Sequence, residues 1–465
     1  GILNVQALQR SLSEIVRRHQ SLRTTFRAVA GRPVQVVAPA LTLKLPITDL
    51  EEMPEGKRET RAKELAAEEA ERPFGLAIGP LLRARLLRLE AEHHILLMTM
   101  HHIASDGWSM RVLYDELSTL YGAFDAGEAS PLPELPIQYA DFAIWQREWL
   151  RGDLLERQLS YWREQLVGAP PLLALPTDRP RPSTQSHRGA KVSAMLPRAL
   201  PGSLRALSSQ EATTFFMTTL AAFHVLLYRY TGQADVLVGT PIANRNRSEI
   251  EDLIGFFVNT LVLRGDLSGN PTFRELLART REVCLGAYAH QDLPFERLVR
   301  ELEPQRSMSH APVFQVMFAL QDAPSRPLEL PGLSASRFDV ESGTAKFDLM
   351  LLIAKVDDGF RARCEYNADL FDSATVERML GHYRTLLEGI ARNPDERIDF
   401  LPMLTEAERH RILVEWNATQ TDYPKNLCIH ELFEGQVERT PDAVAVEVGD
   451  EQLTYQDLNQ QANQL

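Results

Sequence analysis

The feature that most constrains the fold is a proline-rich segment, residues 168–189, which separates two long stretches of alternating helix and strand patterns. Proline fixes φ and lacks an N–H donor, so this segment is expected to run extended, outside helices and central strands. Before it, helical periodicity over 3–19 and 57–72 alternates with the strand-like runs TTFRAV and HHILLMTM. The sequence therefore predicts an α/β chain of two lobes, residues 1–165 and 191–395, joined by a crossover over 166–190.

The last seventy residues, 396–465, have a different pattern of helix, turn and strand signals from the two lobes. Thr405 followed by Glu408 is a capping box that predicts a short helix, and turn-forming residues follow it. We interpret residues 396–425 as a linker. Residues 426–465 show helix, strand, turn and helix patterns, which predict the N-terminal fragment of another domain. The opening helix pattern suggests that the first lobe lacks its earliest residues.

Composition excludes several functions. The net charge of −13, spread without long acidic blocks, argues against nucleic acid or a membrane surface as a partner. The apolar stretch 215–228 is too short to span a bilayer and predicts a buried helix. Three widely spaced cysteines indicate neither disulfides nor a metal site, so we expect a cytoplasmic protein. Phosphate-binding glycine motifs are missing from the sequence, so no bound nucleotide or other cofactor is expected.

The strongest chemical signal is HHIASDGWS, residues 101–109, placed between a strand pattern and an amphipathic helix pattern. His102 is expected at the strand end, Gly107 in a turn with positive φ, and Asp106 or Ser109 at the helix N-cap. A neutral imidazole can accept a proton near physiological pH, so His102 is a candidate base. Two core histidines beside a solvated aspartate would give the same pattern.

At these residues the chain resembles a known family. HHIASDGWS is similar to the HHxxxDG signature of nonribosomal peptide synthetase condensation domains and chloramphenicol-acetyltransferase-like acyltransferases. Further blocks match in the family's order, with a looser one at 306–313 where His310 stands in place of Arg. The matching blocks are RHQSLRTTF (18–26), YADFAIW (139–145), IGFFVNT (254–260) and HQDLPFE (290–296).

The resemblance implies two chloramphenicol-acetyltransferase-like lobes in a V-shaped pseudo-dimer with an active-site tunnel between them. It makes His102 the active-site histidine, as a base or as a positioning group, and His101 the residue that orients it. Asp106 becomes a structural anchor whose partner is Arg264, with Arg23 as the alternative. Gly107 would leave room for substrate, with its N–H near the reacting carbonyl. The residues expected to line or shape the tunnel are Trp108, Asn259 and Ser309.

The family's reaction joins two acyl groups carried as thioesters on the 4′-phosphopantetheine of upstream and downstream carrier proteins. HHIASDGWS is most similar to domains that join an L donor to an L acceptor. An epimerisation domain or a noncatalytic recruitment platform of the same fold stays open, although the glutamate-bearing block of the former is not found. The tail, with TPDAVAV and LTYQDLN, resembles the start of an adenylation domain, which would be the adjacent partner.

Overall fold

The computed structural model describes residues 1–302, 307–322, 328–338, 343–356 and 359–465. They form two compact units, Gly1–Leu404 and Thr405–Leu465. The helices of the first unit are α1 Val5–Arg18, α2 Glu55–Glu71, α3 Gly107–Asp125, α4 Tyr139–Trp149, α5 Gly152–Leu166, α6 Leu200–Gln210, α7 Phe215–Thr231, α8 Phe273–Ala289, α9 Phe295–Leu302 and α10 Ser373–Arg392.

The strands of the first unit fall into three sheets. The pair β1 and β2 is antiparallel, β3 runs parallel to β4, and β4 is antiparallel to β5. The large mixed sheet has the order β6-β11-β10-β9-β7-β8. The strands are β1 Thr24–Val29, β2 Arg32–Val37, β3 Ile47–Asp49, β4 Leu82–Glu90, β5 His93–Met100, β6 Gly189–Met195, β7 Asp235–Ile242, β8 Asn259–Asp266, β9 Val316–Gln321, β10 Leu349–Val356 and β11 Gly359–Asn367.

The large sheet and its helices form the C-terminal lobe. Helix α7 lies at the centre of its core and carries apolar residues on all sides, as expected for the stretch 215–228. The Thr214 side chain accepts a hydrogen bond from the Met217 N–H at its start, and Gly232, with φ of 70°, ends it. Ile398 and Leu401 are buried in the same core, so the packed lobe reaches past residue 395 into the segment interpreted as linker.

In the N-terminal lobe, strand β5 is covered on both faces. Ile95 and Leu97 pack in a core with helix α2, whereas Leu96 and Met98 face the core formed with α1 and α3. A further, smaller core joins the lobes, because Phe142 of α4 packs with three residues of the C-terminal lobe. Those residues are Ile250, Leu253 and Phe257.

The second unit contains the short helix α11 with the predicted Thr405–Glu408 capping box, and then α12, the antiparallel pair β12 and β13, and α13. This succession matches the helix, strand, turn and helix expected for 426–465. No helix in the described ranges is both long and apolar enough to cross a membrane. The bounds are α11 Glu406–His410, α12 Ile429–Arg439, β12 Val444–Val448, β13 Glu451–Thr454 and α13 Tyr455–Gln464.

Candidate active site

The HHIASDGWS motif forms a corner between strand β5 and helix α3. The strand ends at Met100, His102–Ala104 make one turn of 3₁₀ helix, and α3 begins at Gly107. His102 is exposed at this corner, whereas Ala104, Ser105 and Asp106 behind it are buried. The chain therefore presents the imidazole to the outside and anchors the rest of the turn in the protein.

The His102 ring is held in one orientation. Its Nδ1 lies 2.7 Å from the Ser105 carbonyl oxygen, which can only accept, so Nδ1 carries the proton and donates. The ring also meets Phe256 edge to face, with centroids 5.0 Å apart. In the neutral ring, Nε2 is then the nitrogen with a free lone pair, which is the form that a proton acceptor requires.

His101 has the contacts of a packing residue. Its Nδ1 accepts a hydrogen bond from the Ile103 N–H at 3.0 Å, and its ring packs edge to face on Phe74 at 5.6 Å. Burial lowers the pKa of His101, with smaller contributions from His102 and from Lys346 of the C-terminal lobe. A neutral His101 places no positive charge beside His102.

Asp106 is the most heavily bonded residue of the corner and is 5% exposed. Its Oδ1 accepts from the Ser109 N–H and hydroxyl, both at 2.8 Å, which makes Asp106 the N-cap of α3. Its Oδ2 accepts from the N–H groups of Phe257 at 2.9 Å and Val258 at 3.2 Å. One carboxylate therefore ties the corner to the C-terminal lobe.

The charged partner of Asp106 is Arg245, whose Nη2 lies 3.3 Å from Oδ1, and both side chains are buried. The expected pairing with Arg264 is wrong. Arg264 lies five residues further along β8 than Asn259, which follows the Asp106-bound Val258, so its backbone is about 17 Å from that of Asn259. Its side chain binds Asp235. The alternative, Arg23, donates to the Ala38 carbonyl instead. Arg245 follows strand β7, and the β7–β8 pairing brings it beside 254–258.

Other bonds between the lobes surround this carboxylate. The Ser109 hydroxyl is fully buried and accepts from the Gly255 N–H at 3.1 Å and from Arg245 at 3.0 Å. The Tyr139 hydroxyl donates to the Phe256 carbonyl at 2.8 Å, and burial raises its pKa to about 12. Sequence reasoning missed the roles of Arg245 and Phe256, although Phe256 and Tyr139 lay inside blocks that it had identified.

Gly107 differs from expectation in its backbone. It is the first residue of α3 and does not adopt positive φ, because the bend is made by the extended residues Ser105 and Asp106. It is exposed, and a Cβ added there would meet nothing within 4 Å. The space beside the helix N-terminus is therefore open. Trp108 is half-buried and donates from Nε1 to the Glu251 carbonyl at 2.9 Å.

Asn259 and Ser309 occupy different surroundings. Asn259 is buried, and its amide donates to the carbonyls of Gln291 and Leu293, both at 2.8 Å, and accepts from the Phe295 N–H at 3.0 Å. It braces the HQDLPFE loop. Ser309 is half-buried, with its hydroxyl 2.8 Å from that of Ser307. Arg306, at the start of that block, lies outside the described residues.

No group of three or more His, Cys, Asp or Glu side chains that could hold a metal ion occurs among the residues that the structure describes. Cys284 and Cys364 are buried, and burial raises the pKa of each thiol to about 12, so neither forms a reactive thiolate.

The protein is a two-lobed α/β protein with an exposed imidazole at a strand-to-helix corner. A buried aspartate in the same corner bonds to the second lobe. The condensation-domain family model matches residues 1–413. The chain belongs to the condensation-domain family of nonribosomal peptide synthetases, which confirms the resemblance.

Its relatives include a linear gramicidin synthase polypeptide from Brevibacillus parabrevis, 52% identical over the whole chain, of which the chain covers 9%. A phosphinothricin tripeptide synthetase from Streptomyces viridochromogenes is 42% identical, and the chain covers 43% of it. The X-domain from teicoplanin biosynthesis superposes with a TM-score of 0.78 at 31% identity, covering 87% of this chain and 91% of that one. The chain thus spans less than half the length of these two synthetases.

Proposed function

We propose that the chain catalyses peptide-bond formation between two carrier-bound substrates. The amine of a downstream aminoacyl thioester attacks the carbonyl of an upstream aminoacyl or peptidyl thioester, each held on a 4′-phosphopantetheine arm. The observation that carries the proposal is the His102 ring, exposed at the corner and fixed by the bond from its Nδ1 to the Ser105 carbonyl, which leaves Nε2 outside that bond. Family membership and the synthetase names of the relatives support it.

In the proposed reaction the C–N bond forms as the C–S bond breaks, and the amine loses a proton. His102 Nε2 accepts that proton and can return it to the departing thiolate, so no covalent acyl-enzyme is needed. A thioester is an activated acyl donor, so orientation of the amine supplies much of the rate. The open space at Gly107, at the N-terminus of α3, is where we place the reacting carbonyl.

The finer parts of the proposal rest on the residue pattern. HHIASDGWS is most similar to domains that use an L donor and an L acceptor, and the tail 426–465 is proposed as the start of an adenylation domain. The match to the linear gramicidin synthase polypeptide extends over the whole chain, tail included, which supports such a neighbour. A cytoplasmic location stays a prediction.

A recruitment platform is the second candidate, because the X-domain from teicoplanin biosynthesis, solved in complex with OxyB, has the same fold. The intact His102 and the fully bonded Asp106 favour catalysis over this role.

The test uses the intact module with its flanking carrier domains loaded with L-aminoacyl phosphopantetheine, and mass measurement of the downstream carrier. The expected result is a carrier-bound dipeptide with the native chain and a rate at least about 100-fold lower with His102→Ala. A D-aminoacyl donor should give little product if the donor preference is correct. Dipeptide formed equally by His102→Ala, or none formed by the native chain, would refute the catalytic role.

A further inference from the structure

A chain of buried polar groups runs from helix α3 to segment 254–258 of the C-terminal lobe. Glu116 of α3, Arg18 of α1 and His19 are 6%, 4% and 1% exposed. Arg18 donates to Glu116 Oε1 from Nη2 at 3.0 Å and from Nε at 3.2 Å, and His19 Nε2 lies 3.0 Å from Glu116 Oε2. The reaction proposed above does not use these groups.

The other ring nitrogen of His19 faces the C-terminal lobe. Its Nδ1 lies 3.1 Å from the backbone nitrogen of Ile254. An amide can only donate, so Nδ1 must accept and the proton resides on Nε2, which donates to the Glu116 carboxylate. A protonated ring would set two donors against each other at Ile254. The site therefore requires the neutral Nε2–H tautomer in one orientation.

Ile254 begins the segment that holds the active-site corner. Two residues on, Phe256 packs against the His102 ring, and the N–H groups of Phe257 and Val258 bind Asp106. The Ser21 hydroxyl donates to the Ile254 carbonyl at 2.6 Å, so both polar groups of this residue are held by the N-terminal lobe. Ile254 is therefore one of the points at which the N-terminal lobe fixes this segment.

We propose that His19 is a positioning residue for peptide-bond formation, which acts by accepting the Ile254 N–H and so places segment 254–258 against His102 and Asp106. The inference rests on the proposed function and names a residue outside the HHIASDGWS motif. Its basis is geometric: the Ile254 N–H is buried, and a displacement of about 1 Å at a reacting group can cost about 100-fold in rate. Arg18 and Glu116 orient the ring, since Glu116 fixes the proton on Nε2.

The experiment compares two amides at position 19 in the intact module. Asparagine places an oxygen near the Nδ1 position and can still accept the Ile254 N–H, whereas glutamine reaches the Nε2 position and leaves that N–H unpaired. For His19→Gln we expect kcat to fall at least tenfold with KM for the loaded carriers within twofold. His19→Asn should keep kcat within about threefold of the native value. Hydrogen exchange at the Ile254 amide should quicken at least tenfold in His19→Gln and stay near native in His19→Asn.

The matched control is Ser11→Ala, at a fully buried residue of α1, the helix that ends just before His19; the Ser11 hydroxyl donates within α1, to the Ala7 carbonyl. It should keep both kcat and Ile254 exchange. Equal behaviour of His19→Asn and His19→Gln in kcat and exchange would overturn the proposal. The exchange measurement needs no activity, so failure of the proposed reaction leaves it as an independent test of the same contact.

Discussion

Replacement of Asp106 by asparagine tests how the corner is held. The amide keeps one acceptor oxygen, but its NH₂ group must face either the N–H groups of Phe257 and Val258 or those of Ser109 and Arg245. Each buried donor left unpaired costs about 1–3 kcal/mol, and a buried ion pair that loses one charge costs about 3–5 kcal/mol. Because these penalties overlap at one carboxylate, we expect Asp106→Asn to lower the free energy of unfolding by about 3–5 kcal/mol.

That loss has a measurable size in melting temperature. Unfolding entropy is about 2.1 cal/mol/K per residue, or about 0.85 kcal/mol/K for a unit the size of Gly1–Leu404. The expected fall is therefore about 4–6 °C by calorimetry. Peptide formation should also fall at least tenfold, because the same bonds place His102 beside Phe256. The desolvated Arg245, whose pKa burial lowers despite Asp106, would be left without its counter-charge.

The control is Asp49→Asn, since Asp49 pairs with Arg88 at 3.1 Å with both side chains substantially exposed. Such surface pairs contribute about 0–1 kcal/mol, so the melting temperature should change by about 1 °C or less. In the double variant Asp106→Asn/Arg245→Met the losses should be less than additive, because the two residues share one interaction. A melting temperature of Asp106→Asn equal to that of the control would refute the anchoring role.

Three further outcomes follow from single sites. Burial lowers the pKa of His224 to about 4, against 6.5 for an unperturbed histidine, so the unfolded state binds the proton first. The free energy of unfolding should therefore fall by up to about 3 kcal/mol as pH drops from 6.5 to 4. Urea titrations at the two pH values should show a smaller fall in His224→Leu than in the native chain. Gly107→Ala should keep the native melting temperature but lose peptide formation, since only substrate would meet the added methyl. Gly255→Ala should lower the melting temperature, because its Cβ would lie 2.3 Å from the Tyr139 ring.

Local sequence patterns predicted the elements well where one physical signal dominates. Strands β1 and β5 have the predicted bounds, and the apolar stretch 215–228 forms a buried helix. The Gly107 conformation was mispredicted, because two extended residues before a glycine can make a bend without any positive φ. The packed lobe also continues past the start of the segment interpreted as a linker. Ile398 and Leu401 follow no helix or strand pattern, yet tertiary packing buries them.

The partner of Asp106 could not be predicted from spacing along the chain. Arg264 lies just beyond the matched block 254–260 and Arg245 lies just before it, and only the register of β7 against β8 decides which of them is near Asp106. That register pairs Ile242, the last residue of β7, with Asn259, the first residue of β8, so the residues just after β7 and just before β8 lie at the same end of the two strands. Sequence order alone contains no such information.

The hydrogen bonds at the corner separate the residue proposed to meet substrate from the residues that connect the lobes. His102, the group proposed to meet substrate, makes one hydrogen bond within its own turn, whereas Asp106 and Ser109 bond mainly across the lobes. A 3₁₀ turn of three residues has too few internal bonds to fix an exposed side chain on its own. The ring therefore depends on Phe256, whose segment is bonded by three parts of the N-terminal lobe: residues 19–21, Ser109 of α3 and Tyr139 of α4. Because these bonds join the two lobes, the rate of the proposed reaction should depend on the junction of the lobes as well as on the imidazole.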